Sequence, residues 1–568
     1  MADFRRNYLS HKQIMDVTTG WVQAWPAIVR RHVIGKSPEG REVVVLEIGT
    51  NGEKVRPAVW IDGNMHATEL AGSSTALALA EDFIHLFASA SADRASFNAL
   101  AKSEIEVLRG LTVYVCPRIS PDGAEAALSS GRYTRSSPED RRVSRLRSRW
   151  RLRDMDGDGK AGWMRVQDPT GELVESRKVA GLLVPRRPGD DGPFFKMWPE
   201  GDIENFDGSH VPDPAMLSDN AVDFNRNFPW NWRPEPEQCG AGDYPGSAPE
   251  TRALMEFVTS RPNIFAWLNF HTYGGVFIRP LGHLPDHKMN QGDLAIFRQI
   301  AAWNEEFTGY PTVSGYEDFL YEPEKPLHGD LTEYAFHQRG AIAMVCEIWD
   351  IFKKIGCKPG KKFIDYYFQV DREELEALAL WDREHNGGRI VGVWRPFDHP
   401  QLGRVELGGY NPLVGVSNPP ESFLPEICEQ QSRAFLKLAA LAPRLELSTA
   451  VTRDQGVSTV VVTVRNLGYL STMVMESFKD LPINEPLVLR WESDGSLEPL
   501  SPGGTQIEMG HLQGWGRGLH AQLSGLAMPS TSGSSSSKVT RLVIKGTGIL
   551  RLSAGNCRVG WHEVSVTL

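Results

Sequence analysis

The chain has 568 residues, which is too long for one ordinary hydrophobic core and predicts two or three domains. Its 41% hydrophobic and 23% charged residues are typical of a globular protein and exclude a largely disordered chain. The formal net charge of -10 argues against a general nucleic-acid binder, because neutralising phosphates requires a surplus of lysine and arginine.

Residues 1–14 lack the apolar core of a secretory signal, and no apolar run reaches the roughly 18 residues that a membrane span needs. The six cysteines are scattered without a Cys-x-x-Cys pair, which indicates reduced thiols rather than disulfides or a cysteine metal site. We therefore expect a cytoplasmic protein that has no membrane partner.

Two kinds of pattern divide the chain. From residue 14 to about 355, apolar strand-like runs alternate with amphipathic helices, which predicts an α/β fold around a buried sheet. Residues 130–220 interrupt this alternation with arginine, aspartate, glycine and proline, and we interpret them as a long insertion of loops. A helix predicted over residues 423–443 closes a first domain, 1–444, and short alternating runs predict a β-sandwich over residues 445–568.

A histidine and a carboxylate lie three residues apart in "WIDGNMHATEL", where a predicted strand gives way to a helix. His66 at the strand end and Glu69 in the helix start can point at one spot. A catalytic zinc ion commonly takes three nitrogen or oxygen ligands from the protein and leaves a fourth position open. The pair alone is weak evidence, because a chain of this length can contain His-x-x-Glu by chance.

Two further buried strands end in residues that a metal site needs. "NIFAWLNFHTYGG" ends its strand in His271, and "AIAMVCEIWD" ends its strand in Glu347, where an unpartnered carboxylate is costly unless it has a function. Ligands collect beyond the carboxyl ends of strands in open α/β sheets. We therefore expect both residues to lie close to His66.

The intervening segment "AVDFNRNFPWNW" offers polar side chains of three kinds. Asp223 can orient a metal-bound imidazole by accepting its second N–H. Arg226 presents a planar fork that suits a carboxylate, with Asn225 beside it.

Six segments in this order resemble the zinc carboxypeptidase family, the carboxypeptidase A and B type of metallopeptidase: "GKSPEGREVVVLEI", "DGNMHATEL", "SPDG", "VDFNRNF", "FHTYGG" and "CEIW". The resemblance covers roughly residues 7 to 350. "DMDGDGKAGWMRVQDPTG" and "HPQLGRVELGGYNP" further resemble large bacterial-type members that carry an extra β domain. The resemblance implies a mixed, mostly parallel sheet flanked by helices in the first domain.

The resemblance also implies one zinc ion per chain, held by His66, Glu69 and His271. It implies that Glu347 is the general base and acid, and that Asp223 is the hydrogen-bond partner of the first histidine.

Substrate-binding residues follow from the same resemblance. Asn225 and Arg226 are expected to bind the terminal carboxylate of the substrate. The family uses an arginine shortly after the "PDG" turn to stabilise the oxyanion, and Arg132 is our candidate, although any early arginine of the segment "RYTRSSPEDRR" meets this description. Tyr321 is the candidate for the tyrosine that caps the substrate, and Thr332 falls at the base of the specificity pocket without dictating a side-chain preference.

A second metal site is one interpretation of "DMDGDG", which places Asp154, Asp156 and Asp158 at alternate positions, as in the first half of a calcium loop. The twelfth position is Arg165 rather than glutamate, so the segment is not an EF-hand. A plain Asp-Gly turn explains the pattern equally well.

Together these features predict a zinc metallocarboxypeptidase that hydrolyses the C-terminal peptide bond of a substrate with a free carboxylate. One alternative is a zinc amidase that acts on a γ-linked or acyl-amino-acid amide. A second is a non-catalytic binding protein that uses its β-sandwich, although a protein without activity need not keep Glu347. We expect peptide or acyl-amino-acid substrates and no nucleic-acid partner.

Overall fold

A computed structural model describes residues 3–49, 54–89, 94–142, 148–214, 221–322, 325–357, 362–367, 370–493, 495–500, 504–516 and 534–568. None of the helices in these ranges combines the length and the apolar character that a membrane span requires. The α-helices of these ranges are α1 His11–Ala24, α2 Leu70–Ala88, α3 Lys102–Arg109, α4 Pro121–Ser130, α5 Pro249–Thr259, α6 Gln291–Thr308, α7 Gly315–Asp318, α8 Leu331–His337, α9 Ile351–Lys354, α10 Arg372–His385 and α11 Leu424–Ala439. The helix predicted over 423–443 is α11.

The strands fall into a long first group and a C-terminal group. The first group is β1 Val29–Lys36, β2 Glu42–Ile48, β3 Ala58–Gly63, β4 Thr112–Cys116, β5 Arg149–Leu152, β6 Trp163–Gln167, β7 Leu173–Glu175, β8 Leu183–Pro185, β9 Phe194–Pro199, β10 Gly201–Glu204, β11 Ile264–Thr272, β12 Val276–Arg279, β13 Thr312–Ser314, β14 Ile342–Ile348, β15 Val391–His399 and β16 Gly403–Tyr410. The C-terminal group is β17 Leu445–Asp454, β18 Val457–Asn466, β19 Leu487–Ser493, β20 Glu498–Pro499, β21 Gln506–Gly510, β22 Ser537–Lys545, β23 Ile549–Asn556 and β24 Gly560–Thr567.

The central sheet has the strand order β1-β2-β4-β3-β11-β14-β12-β13. The pairs β3/β4, β3/β11, β11/β14 and β12/β13 are parallel, whereas β1/β2, β2/β4 and β12/β14 are antiparallel. Every residue of β3, β11 and β14 is buried, and α2 and α8 pack against β3 and β14. The α/β fold class and the mixed, mostly parallel sheet are therefore confirmed.

Three parallel strands bring the metal-site residues to one edge of this sheet. β3, β11 and β14 lie side by side, and His271 lies opposite Glu347 in the register of β11 and β14. The chain leaves β3 at Gly63 and passes His66 before Glu69 caps α2. A Cβ atom at Gly63 would lie 2.5 Å from the backbone of α2, so glycine permits the close approach of strand and helix.

Residues 130–220 are not the insertion of loops that the sequence pattern indicated. β6, β7, β8 and β9 join β15 and β16 in a six-stranded sheet of order β15-β16-β6-β9-β7-β8, and β5 pairs with β10. The strands from β5 to β10 are three to six residues long. Such short runs show little alternation, and their partners β15 and β16 lie far along the chain, so the sequence pattern did not reveal them.

The C-terminal residues form two antiparallel sheets, β17-β18-β22-β20 and β21-β19-β23-β24, which share a core that includes Val460, Leu489 and Leu552. The predicted β-sandwich is therefore confirmed. It contacts the first domain at Asp293 of α6, whose carboxylate accepts the backbone N–H of Ser477 at 2.8 Å.

Candidate metal centre

Three side chains converge at the carboxyl edge of β3 and β11. Oε1 of Glu69 lies 2.7 Å from Nδ1 of His66, and Oε2 of Glu69 lies 2.9 Å from Nδ1 of His271. The two Nδ1 atoms are 3.0 Å apart, and all three side chains are buried. The structure therefore brings together the three residues that the sequence analysis named as zinc ligands.

Asp223 holds the first imidazole. Nε2 of His66 donates to Oδ1 of Asp223 at 3.1 Å, as the sequence analysis expected. Asp223 is itself fixed, because it caps the short turn Phe224–Arg226 and accepts the backbone N–H of Asn225 at 2.8 Å. Since Nε2 carries the proton, Nδ1 keeps its lone pair toward the other two side chains.

A chain of buried side chains that the sequence analysis missed holds the second imidazole. Nε2 of His271 donates to Oδ1 of Asn269, and Nδ2 of Asn269 donates to Asp62. Asp62 also accepts the indole N–H groups of Trp60 and Trp267, at 2.6 and 2.8 Å. Burial raises the pKa of Asp62 to about 6, although these hydrogen bonds lower it. Asn269 precedes His271 by two residues, so both point to the same face of β11, and this spacing was visible in the sequence.

The three converging side chains fit a zinc ion. Two imidazole nitrogens and one carboxylate form a donor set found in catalytic zinc sites. Their ligand atoms all lie within 4.8 Å of one another. Both histidines donate through Nε2, so their Nδ1 atoms face each other with lone pairs, and this arrangement is repulsive unless a proton or a cation lies between them.

Glu347 lies beside these three side chains and opposite His271 in the register of β11 and β14. Its Oε2 atom is buried and accepts no hydrogen bond from any residue that the structure describes. Burial and then the negative charge of Glu69 raise the pKa of Glu347 well above its ordinary value. A cation bound to Glu69 would offset the second cause. The arrangement suits a carboxyl group that takes and returns a proton.

The arginine at the site is Arg135 rather than the predicted Arg132. Nε of Arg135 donates to Oδ2 of Asp223 at 2.9 Å, and its Nη1 lies 3.6 Å from Oε1 of Glu69. Arg132 instead donates to the carbonyl of Pro138 at 2.7 Å and lines a separate cavity. The physical reason is a backbone hydrogen bond of 2.8 Å from the residue after His66 to the carbonyl of Arg135, which holds Arg135 beside the ligands.

The ion pair with Arg135 also affects its carboxylate partner. Burial raises the pKa of Asp223, but the charge of Arg135 and the hydrogen bond from His66 hold this pKa well below its usual range. Asp223 is therefore anionic and remains a strong acceptor for the first imidazole.

A cavity of about 80 Å³ opens beside the ligands. It is lined by His66, His271, Glu347 and Arg135, and by the predicted substrate residues Asn225, Arg226, Tyr321 and Thr332. Oδ1 of Asn225 accepts the backbone N–H of Leu331 at 2.9 Å, which ties the segment to the start of α8. Oγ1 of Thr332 is buried and, within the described ranges, has no hydrogen-bond partner. The structure thus places all four substrate candidates at one cavity.

The three aspartates of "DMDGDG" do not converge on one point. Asp154 accepts two backbone N–H groups of its own turn, at 2.7 and 2.8 Å. Arg395 pairs with Asp156 at 3.1 Å and with Asp158 at 2.5 Å. Asp154 and Asp156 lie near Glu200, but both oxygens of Glu200 accept backbone N–H groups. The segment is an Asp-Gly turn closed by an arginine, and the calcium interpretation is not supported.

A family model described as zinc carboxypeptidase matches residues 14–171 and 203–377, which is more than half of the chain. The chain belongs to the zinc carboxypeptidase family. A second model, described as a domain of unknown function (DUF8731), matches residues 444–567.

Curated relatives of this zinc carboxypeptidase family member align over short segments. Human mast cell carboxypeptidase A is 38% identical over 126 residues, which cover 20% of this chain and 29% of that protein. Carboxypeptidase E of Caenorhabditis elegans is 32% identical over 108 residues, which cover 18% of this chain and 21% of that protein. The human carboxypeptidase N catalytic chain is 29% identical over 109 residues, which cover 19% of this chain and 22% of that protein. The chain thus spans less than a third of the length of these relatives.

Solved structures also align with the chain, with low scores. Bovine thrombin-activatable fibrinolysis inhibitor, in complex with tick carboxypeptidase inhibitor, has a TM-score of 0.43 and 15% identity, covering 77% of this chain and 98% of that chain. Murein-tripeptide amidase MpaA from Escherichia coli O157 has a TM-score of 0.25 and 14% identity, covering 61% and 97%.

Proposed function

We propose that the chain is a zinc-dependent metallocarboxypeptidase that hydrolyses the C-terminal peptide bond of a substrate with a free carboxylate. The observation that carries the proposal is the single cavity at which His66, His271, Glu347 and Arg226 meet, with Glu69 bridging the histidines. It combines a set of possible zinc ligands, a carboxyl group whose Oε2 atom accepts no hydrogen bond from the described residues, and an arginine suited to a carboxylate.

Proton transfer falls to Glu347. Zinc, when bound, supplies a Lewis acid that polarises the scissile carbonyl and acidifies a water molecule. Glu347 takes the proton of the attacking water on Oε2, the oxygen that accepts no hydrogen bond within the described ranges, and returns it to the leaving amine. Burial of Glu347 favours its neutral form, which helps it to hold the proton between the two transfers.

We assign substrate recognition to Arg226 and Arg135, which line the same cavity as Glu347. Arg226 is buried, and its guanidinium donates to the carbonyl of Asn225 at 2.5 Å, which fixes the direction of its fork. A carboxylate suits such a planar fork. Arg135 supplies positive charge for the oxyanion, and Asp223 and Glu69 hold it in place.

A larger cleft supports a substrate that extends away from this cavity. Its volume is about 440 Å³, and Thr68, the residue before Glu69, is among the residues that line it. Tyr133, Trp163 and Tyr410 line it, and the last two belong to β6 and β16 of the six-stranded sheet. We assign it the part of the substrate on the amino side of the scissile bond.

A comparison of three substrates on the zinc-loaded protein tests the proposal: a peptide with a free C-terminus, its C-terminal amide, and a γ-linked or acyl-amino-acid analogue. Hydrolysis of the free acid with little action on the amide is the expected result. Faster hydrolysis of the γ-linked or acyl-amino-acid analogue would favour the amidase, and no hydrolysis of any substrate would favour a binding protein. Arg226→Ala should remove the preference for the free acid, whereas Arg233→Ala, an exposed arginine of the same segment, should retain it.

We also propose a reducing, cytoplasmic location. None of the six cysteines is bonded to another, and Cys116, Cys346 and Cys428 are buried. Free thiols of this number are typical of proteins in a reducing compartment.

A further inference from the structure

A second group of two histidines and one glutamate lies apart from the candidate metal centre. Nδ1 of His283 is 2.8 Å from Oε2 of Glu333, and Nε2 of His337 is 3.4 Å from the same oxygen. The ligand atoms of the three residues lie within 4.8 Å of one another. The donor set is the same as at the candidate metal centre.

Two structural elements build this group. Glu333 and His337 are four residues apart on α8 and therefore share one face of the helix. His283 comes from the segment between β12 and α6. Oε1 of Glu333 accepts the backbone N–H of Gly282 at 2.9 Å, which leaves Oε2 to face both imidazoles.

Trp230 fixes the positions of both rings. It stacks on His337 with ring centroids 4.0 Å apart and an interplanar angle of 9°, and it meets His283 at 4.7 Å and 65°. The two histidine rings are 5.2 Å apart, compared with 4.6 Å for the pair at the candidate metal centre. The rings are therefore arranged in advance at a spacing similar to that of the first pair.

Hydrogen bonds do not satisfy every polar atom of these three side chains. Nε2 of His337 is buried and has no hydrogen-bond partner in the described part of the chain. Its contact with Glu333, at 3.4 Å, is an ion-pair distance without hydrogen-bond geometry. A buried nitrogen without a partner is unfavourable, and a cation that accepts its lone pair would remove this cost.

We propose that His283, Glu333 and His337 bind a second divalent transition-metal ion of the zinc class. Two imidazole nitrogens and one carboxylate suit zinc, whereas calcium and magnesium prefer oxygen ligands. The ion ties the segment at Gly282 to α8. Because Gly282 and Glu333 line the small cavity, the ion fixes the wall of the pocket rather than the reacting atoms. The inference does not depend on the proposed hydrolysis.

Metal content per chain tests the inference on the full-length protein. The protein is stripped with a chelator, dialysed against buffered free zinc and analysed for bound metal. Wild type is expected to hold two zinc ions and His66→Ala one, and the double variant His66→Ala/His337→Phe none. Phenylalanine keeps the ring stack on Trp230 and removes only the nitrogens, and Glu333→Gln, which keeps the acceptor for Gly282, should also lose the second ion.

His287 supplies the matched control, because it is exposed on the same segment as His283. His287→Ala should keep both ions. Zinc should also raise the melting temperature of the His66→Ala chain but not that of the double variant, and magnesium should raise neither. The inference would be overturned if the wild-type chain held one ion, or if a second ion remained in both His337→Phe and Glu333→Gln. An equal rise in the melting temperature with magnesium would also overturn it.

Discussion

Replacing Asn269 by alanine should weaken zinc binding as well as folding. Asn269 links the proton on Nε2 of His271 to the buried carboxylate of Asp62. Alanine leaves the imidazole free to turn and removes the group that fixes its tautomer. The lone pair on Nδ1 is then no longer directed toward Glu69.

The expected size of both effects follows from the contacts that are lost. Removing an outer partner of a metal-bound histidine typically lowers metal affinity by about 10–100-fold, or about 1.4–2.7 kcal/mol. The substitution also leaves the donor of His271 and one acceptor site of Asp62 without a partner. At about 1–3 kcal/mol each, this lowers the stability of the metal-free chain by about 2–6 kcal/mol.

Zinc competition against a chromophoric chelator and urea unfolding of the metal-free chain measure the two quantities separately. Asn269→Asp keeps the acceptor for His271 but sets a carboxylate against Asp62, so it should retain zinc affinity while losing stability. Asn263→Ala removes a buried asparagine that donates to the carbonyl of Arg56 and lies just before β11, at the opposite end of the strand from His271, and should lower stability alone. If zinc affinity fell equally in all three variants, the proposed orientation of His271 would be refuted.

Three further outcomes are expected. Arg135→Ala should lower kcat by about 10²–10³-fold, and Arg132→Ala should change kcat little. A larger loss of kcat in Arg132→Ala than in Arg135→Ala would assign the oxyanion role to Arg132. Burial raises the pKa of Glu250 from 4.5 to about 8, so the folded chain retains a proton that the unfolded chain releases. The contribution of Glu250 to stability is full below about pH 4.5 and is lost as the pH rises through about 8, by up to about 4–5 kcal/mol. Glu250→Gln should therefore raise the melting temperature at about pH 8.5 but not at about pH 4.5. An equal rise at both pH values would contradict this. Calcium should leave the melting temperature unchanged, because Arg395 already pairs with the aspartates of "DMDGDG", and a clear rise would restore the calcium interpretation.

The sequence was sufficient to predict the convergence of His66, Glu69 and His271, because the fold dictates where these side chains meet. His66, His271 and Glu347 each lie at or just beyond the carboxyl end of a buried strand, and parallel neighbours end at the same edge of a sheet. Once the strands were recognised, their terminal polar residues had to converge. The spacing of Asn269 and His271 carried the same kind of information, because residues two apart on a strand share a face.

Other parts of the site depended on contacts that no local pattern encodes. The choice of Arg135 over Arg132 depends on a backbone hydrogen bond to the residue after His66, and the segment contains many arginines. In the six-stranded sheet β6 pairs with β16, and the paired residues Arg165 and Glu406 are 241 positions apart in the chain. The second histidine and glutamate group joins His283 to α8, and neither segment alone marks a metal site.

The most direct measurement combines zinc content and peptide hydrolysis in the variant Glu347→Gln. The amide occupies the same space and removes only the ability to accept a proton, so the ions bound by the wild type should remain. Hydrolysis of a peptide with a free C-terminus should fall by about 10²–10⁴-fold. Unchanged turnover, or a wild-type chain in which His66, Glu69 and His271 bind no transition metal, would contradict the proposed site and its chemistry.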